Sequence, residues 1–198
     1  MSVHTDHKGV QFGMWLFLYT EIMLFGGLFV IYATYYYQYT NDFIAAGKEL
    51  ELVMGTVNTA VLLTSSLTAA IAIEAMRKDA RKLVIGLLGV TILLALTFLC
   101  IKYVEWGHKF AHEIFPGSEK LASGPHGVTM FYGLYFTMTG LHALHVIIGI
   151  LVLGVCLAFT ARGKIHGGRM DILENSGLYW HLVDIIWIFL FPLFYLIL

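Results

Sequence analysis

"LVIGLLGVTILLALTFLCI", Leu83 to Ile101, is nineteen consecutive residues without a charge. A transmembrane helix needs about 20 mainly apolar residues to cross the hydrocarbon core of a bilayer, so this run reads as a membrane span. Four more segments meet the same requirement. The first runs from Val10 to Tyr39, broken only by Glu21, and the second from Leu52 to Met76, uncharged as far as Ile73. The third extends the opening stretch from Leu83 to His108, the fourth covers Gly127 to Ala161, and the fifth covers Ser176 to Leu198.

The whole chain agrees with this reading. Of its 198 residues 59% are hydrophobic and 13% charged, with a mean hydropathy of +0.78, whereas soluble domains carry about 25% charged residues. The expectation is an all-α polytopic bundle, one transmembrane domain over residues 1–198, with connections too short for a soluble domain. The net charge of -1 argues against a nucleic-acid surface. The start, "MSVHTDHKGVQFG", lacks the apolar region and small-residue cleavage site of a signal peptide, so the first run reads as a true span. Cys100 and Cys156 fall in apolar runs without CxxC spacing, which suits buried structural thiols.

Basic residues set the expected orientation. Lys8, Arg77, Lys78, Arg81, Lys82, Arg162, Lys164 and Arg169 would share one side, against Lys48, Lys109 and Lys120 on the other. In a bacterium that places the N-terminus in the cytoplasm and the C-terminus outside. Tyr35, Tyr36, Tyr37 and Tyr39, and Tyr179 with Trp180, would lie where spans meet the interface. Ala60, Thr64, Thr68 and Ala72, at four-residue intervals, would form a close-packing face. No internal repeat supports a transporter built from inverted halves.

An ionisable residue inside a span costs about 2.5–3.5 kcal/mol on insertion scales and calls for a partner or a task. Glu21 lies about eleven residues into the first span, roughly 16 Å from its start; a helix-to-helix hydrogen bond or a proton- or lipid-related role would serve it. Lys102 and Glu105, three apart, share a face and suit a local ion pair, and Glu74 with Arg77 or Lys78 suits a solvated one. In "YWHLVD", His181 and Asp184 share a face, and a carboxylate beside an imidazole fixes its tautomer or its charge. "HKFAHEIF" places His108 and His112 four apart, but a lysine follows His108, so this is not HExxH.

"TGLHALHVIIG", Thr139 to Gly149, carries His142 and His145 on one helix face. A haem in a helix bundle needs imidazoles on facing helices at matched depth, and no such partner presents itself. Packing and interhelical hydrogen bonds are therefore the reading, and no metal site is assigned.

These motifs carry a resemblance. "TGLHALHVIIG" is similar to the TGxHGLHVxxG signature of subunit III of the haem-copper respiratory oxidases. "ENSGLYWHLVDIIWIFLF" resembles that family's ExxxxYWHFVDxVWLFL, which matches Glu174, Trp180, His181, Asp184 and Trp187. "YTEIMLFGGLF" resembles SExMxFxxxF and makes Glu21 its intramembrane glutamate. "VNTAVLLTSS" is similar to LNTxxLLxSS, and "KYVEW" to QxxEY, aligning Glu105 and replacing a glutamine by Lys102. The matches fall in order on all five spans. The chain resembles the five-helix form; in longer members a lipid-filled cleft lies beside two further helices, which here a neighbouring subunit would have to donate.

The resemblance implies a non-catalytic subunit of a proton-pumping terminal oxidase in a bacterial inner membrane, cytochrome c oxidase first. Subunit III of a quinol oxidase, or of a complex related to nitric oxide reductase, is the alternative; an autonomous haem b protein or a small transporter is more distant. Haem and copper are implied in the partner subunits I and II and not in this chain. Phospholipid is the implied ligand, and the implied role is support of core stability, oxygen access and proton uptake. Glu21, Glu105, His142, His145, Glu174, Trp180, His181 and Asp184 would serve structural, lipid- or proton-related roles, with Arg162, Lys164 and Arg169 near lipid head groups.

Overall fold

The computed structural model describes residues 7–165 and 170–196. Among them the chain is all-helical: α1 (His7–Gln38), α2 (Thr40–Lys48), α3 (Leu52–Arg77), α4 (Arg81–Ala111), α5 (Glu119–Ala122), α6 (His126–Ala161) and α7 (Asp171–Tyr195). Five of them, all but α2 and α5, are long and apolar enough to cross a membrane. Two ends of the bundle follow: one carries the α3–α4 and α6–α7 connections, the other carries α2 and α5. We call the first the basic end, because Arg77, Lys78, Arg81, Lys82, Arg162 and Lys164 lie there.

Helices α3 and α4 form an antiparallel hairpin. The buried positions of α4 are Val84, Leu88, Thr91, Ala95, Phe98, Lys102 and Glu105, alternating steps of four and three. Helix α3 buries Gly55, Asn58, Leu62, Ser65, Ala69, Ala72 and Met76 in the same rhythm. An alternation of three and four keeps one stripe facing a neighbour, as in a coiled coil. Thr68 and Thr91 hydrogen bond across the pair at 2.8 Å. The expected face through Ala60, Thr64, Thr68 and Ala72 is corrected here, since Ala60 and Thr64 are exposed. Steps of four advance about 40° more than a full turn each time, so such a row winds off the contact.

Helix α7 is the hub, packed against α3, α6 and α1 and buried on most of its circumference. It begins at Asp171, earlier than the expected Ser176, because the acidic residues Asp171 and Glu174 occupy its first turn, where negative charge suits a helix N-terminus. Tyr179 and Trp180 are therefore two turns inside. Trp180 is 0% and Tyr179 5% exposed, so both rings pack inside the bundle and do not face lipid. Helix α1 lies at the edge against α6 and α7, touching the core through Leu18, Phe25 and Tyr32, seven residues apart. Cys156 is buried, whereas Cys100 is exposed on α4.

Gly149 shows why the fourth span ends its motif on glycine. A Cβ there would lie 2.6 Å from Trp180 Cζ3, a rigid ring with no room to move. Gly149→Ala is expected to cost about 1–3 kcal/mol through overpacking, read as a lower denaturation midpoint in detergent. An unchanged midpoint would mean that α6 and α7 do not meet this closely.

Candidate functional site

Among the described residues, three groups of polar side chains inside the bundle tie helices together. In the first, Glu21 of α1 meets His145 of α6, Oε2 to Nε2, at 2.8 Å, with both side chains largely buried. His145 Nδ1 lies 2.7 Å from the Leu141 carbonyl, which can only accept, so Nδ1 carries a proton. The bond between carboxyl and Nε2 then holds one proton between its partners, and the pair is neutral overall. It joins the peripheral helix to the core, and Tyr179 of α7 adds a hydrogen bond to the His145 carbonyl at 3.2 Å.

His142 parts company with His145. It faces α4 and α7, fully buried, with its ring 5.5 Å from that of Phe98 and 5.1 Å from that of Trp187. Neither ring nitrogen has a hydrogen-bond partner among the described residues. Both nitrogens of His145 are engaged, and aromatic rings enclose His142. The two histidines, three apart, point at different helices, so the common face expected of them divides into two contacts.

The second group centres on Lys102 and Glu105, whose side chains are 5% and 2% exposed and lie 3.0 Å apart. Glu105 Oε1 accepts from the Tyr135 hydroxyl at 2.6 Å and from the Tyr195 hydroxyl, while Oε2 accepts from Lys102. The Lys102 ammonium also donates to the Tyr195 hydroxyl at 2.6 Å and sits 4.9 Å from the centre of the Trp187 ring. The expected local pair is thus a network joining α4, α6 and α7, and Tyr135 and Tyr195 are members that sequence reading missed. Spacing within one helix reveals i to i+3 pairs, but not which phenols a neighbouring helix supplies.

The third group is the seam between α3 and α7. Trp180 Nε1 donates to Ser65 Oγ at 3.2 Å and Trp187 Nε1 to Thr59 Oγ1 at 3.0 Å. His181 Nδ1 lies 2.7 Å from Ser66 Oγ. The expected His181–Asp184 pairing is corrected: His181 is bound to Ser66, and both Asp184 oxygens are buried without a hydrogen-bond partner among the described residues. Residues three apart on a helix differ by about 60° in direction, enough to send one across to α3 and leave the other beside it.

At the basic end, Glu174 meets Arg77 at 3.1 Å, and Glu74 meets Arg77 and Lys78 at 3.6 Å each. These pairs are solvated, so Glu174→Gln is expected to change stability by no more than about 1 kcal/mol; a larger drop in the denaturation midpoint would give it a different role. Arg81 donates from Nε to the Thr160 carbonyl at 2.6 Å and also reaches the Ala161 carbonyl, closing the C-terminus of α6, where cations are favoured. Its only signal in the sequence was its charge. Arg162 is exposed beyond that helix, and the Lys164 ammonium lies 5.2 Å from the Phe159 ring centre. Arg169 lies outside the described residues. His108 and His112 do not converge: His112 Nδ1 contacts the His108 carbonyl at 2.8 Å, and His108 is 3.7 Å from Glu51.

An apolar groove of about 360 Å³ opens between α1, α6 and α7 near the basic end, lined by Met14, Phe17, Ile148, Val152, Ile172, Asn175, Ser176 and Tyr179. Its walls can take acyl chain, and Asn175 offers one polar contact.

Five spans held by buried hydrogen-bonded groups define a multi-pass membrane protein of bundle type. The family model described as cytochrome c oxidase subunit III matches residues 2–197. The chain belongs to this family, the third subunit of the haem-copper oxidases. It is 33% identical over 195 residues to the cytochrome bo(3) ubiquinol oxidase subunit 3 of Pseudomonas aeruginosa, covering 98% of this chain and 87% of that protein. A probable quinol oxidase subunit 3 of Staphylococcus saprophyticus is 34% identical over 204 residues, 97% of this chain and 92% of that one. A haem-copper oxidase subunit I+III of Aeropyrum pernix is 29% identical over 195 residues, covering 95% of this chain and 23% of the relative.

Proposed function

We propose that this chain is a non-catalytic subunit of a terminal oxidase that supports its core, holds phospholipid and sustains oxygen access and proton uptake. The observation that carries the reading is how the buried polar groups are used. Glu21, His145, Lys102, Glu105, His181 and Trp180 are engaged with neighbouring helices of the same chain, as a scaffold requires. The groove between α1, α6 and α7 supports phospholipid as the ligand, with Arg162 and Lys164 at the same end of the bundle to meet its head group. The basic end faces the cytoplasm, by the excess of Lys and Arg there, and the membrane is the inner one of a bacterium.

The partners are subunits I and II, which carry the haem and copper. The fused subunit I+III of Aeropyrum pernix supports direct contact with subunit I. For the electron donor, the names of the Pseudomonas and Staphylococcus relatives favour a quinol, while the family model's description favours the cytochrome c of the initial reading. We adopt the quinol, since the relatives are whole proteins matched along most of their length. Assay of the purified complex with each donor decides it: oxidation of reduced cytochrome c and none of quinol would overturn that choice.

Deleting the chain is expected to leave initial electron transfer by the oxidase largely intact, while turnover stability or proton uptake declines. Complete loss of haem from the core would instead make the chain an assembly factor.

A further inference from the structure

The network around Lys102 and Glu105 has unlike surroundings on its two sides. Towards the end of the bundle that carries α2 and α5 lies a pocket of about 260 Å³, and six of its seven lining residues are ionisable. Glu49 and Glu51 come from the α2–α3 connection, His108 and Lys109 from the last turn of α4, His112 from just beyond it, and Glu105 from deeper in α4. Glu49, Glu51, His108 and His112 are exposed, Lys109 is half-buried and Glu105 is buried, so the pocket runs from an open rim to a buried floor. That floor lies about 9 Å inside the end of α4. The mouth is braced: Lys109 Nζ donates to the Glu49 carbonyl and the Tyr132 hydroxyl to Glu49 Oε2, each at 2.9 Å.

On the other side of the network the interior is closed by rings. Phe98 of α4, His142 of α6 and Trp187 of α7 touch one another. Ring centres are 4.9 Å apart for Phe98 and Trp187, 5.1 Å for His142 and Trp187, and 5.5 Å for Phe98 and His142. All three are fully buried. Phe98 is one turn from Lys102, and His142 and Trp187 are two turns from Tyr135 and Tyr195, each towards the basic end. Buried Leu62 takes that level on α3, as the Thr68–Thr91 pair fixes the register of α3 against α4. One turn nearer the network, on the buried stripe of α3, stands Asn58, 0% exposed. Neither its side-chain oxygen nor its nitrogen has a hydrogen-bond partner among the described residues.

We propose that this pocket is a water-filled vestibule that brings bulk water to the Lys102–Glu105 network from one end of the bundle alone, with Phe98, His142 and Trp187 as its seal. The proposal concerns the interior of this chain and stands apart from the subunit reading. The pocket has room for several waters, each about 30 Å³ in the liquid, and its ionisable walls hold them. Intramembrane ionisable groups face protein or water, and here Glu105 meets both. Buried polar groups are nearly always hydrogen bonded, and water passing the network satisfies the Asn58 amide, for which the described chain supplies no partner. Protons that reach or leave Glu105 then do so through this end. The charged and titratable groups around it are Lys102, His108 and Lys109 on α4, Tyr135 and His142 on α6, Tyr195 on α7, and Glu49 and Glu51 before α3. Helix α3 itself presents Gly55 and Asn58 there, neither of them titratable.

The test is hydroxyl-radical footprinting of the tagged chain, purified with its companion subunits, after brief mixing with water enriched in heavy oxygen. A radical formed from a water beside an aromatic ring leaves that oxygen on the ring, where mass spectrometry reads it. Tyr135 and Tyr195 should take up heavy oxygen several-fold faster than Trp180, which is fully buried two turns past the seal and carries the more reactive ring. Ile114→Trp and Glu51→Trp each place an indole at the mouth and should bring both tyrosines down to the level of Trp180. Three results would overturn the proposal. Tyrosines as protected as Trp180 in the unaltered chain mean that no water reaches the network. Tyrosine labelling that neither filling variant lowers means that water enters elsewhere. Trp180 labelled as fast as the tyrosines means that the rings do not seal.

Discussion

Lys102→Met should lower the stability of the purified chain by about 3–5 kcal/mol, the cost of leaving a buried charge without its counterion. The expectation comes from the closure of the network around Glu105, whose oxygens accept from Lys102, Tyr135 and Tyr195. Taking away the ammonium removes a hydrogen bond and the only cation of the group, and leaves a buried carboxylate with the two phenols as its remaining donors. Glu105→Gln should cost a similar amount, by stranding the ammonium. The double variant Lys102→Met/Glu105→Gln should recover about half of the combined loss or more, because a buried pair replaced as a unit is often close to neutral. Denaturation titrations of all four proteins in one detergent read this cycle. Losses that simply add would mean that the two groups do not interact, and that Glu105 is held by its tyrosines alone.

Trp180→Ala is expected to cost about 3–5 kcal/mol, the range for truncating a fully buried aromatic side chain. Its ring fills the space that Gly149 leaves open on α6, and its Nε1 donates to Ser65 on α3. The side chain thus fixes the distances of α7 to two neighbours at once. A tryptophan facing lipid head groups would lose far less, so the same variant separates a ring packed inside the bundle from one exposed at its surface. A change below about 1 kcal/mol, the scale of surface substitutions, would place Trp180 on the surface of the bundle. Trp180→Phe keeps most of the volume and loses the hydrogen bond, and should fall between the two.

The five spans were legible because about 20 apolar residues in succession leave a chain few alternatives. Helix α2 was not: with nine residues and polar groups at its start, it is defined by Phe43 and Ala46 packing beneath α1 and α6, which no local pattern announces. The start of α7 was misread because its polar first turn, Asp171 to Glu174, resembles a loop until the helix dipole is considered. The site residues were legible as a set, since an ionisable group in an apolar run stands out. Their partners were not. His145 binding Glu21, and His181 binding Ser66 instead of Asp184, depend on how each helix is rotated about its axis. Periodicity constrains that rotation only to within a face, and in α3 even the face was misjudged by following Ala60 and Thr64.

The central claim is that this chain serves redox centres held by its neighbours. The most direct test is to isolate the tagged chain from membranes in mild detergent, both with its natural companions and after stripping to the single chain. Reduced-minus-oxidised spectra of the two preparations are then recorded. The account predicts a haem-copper core with its haem bands in the first and no haem band in the second. A stoichiometric haem band in the stripped chain, abolished by His142→Ala, would contradict it.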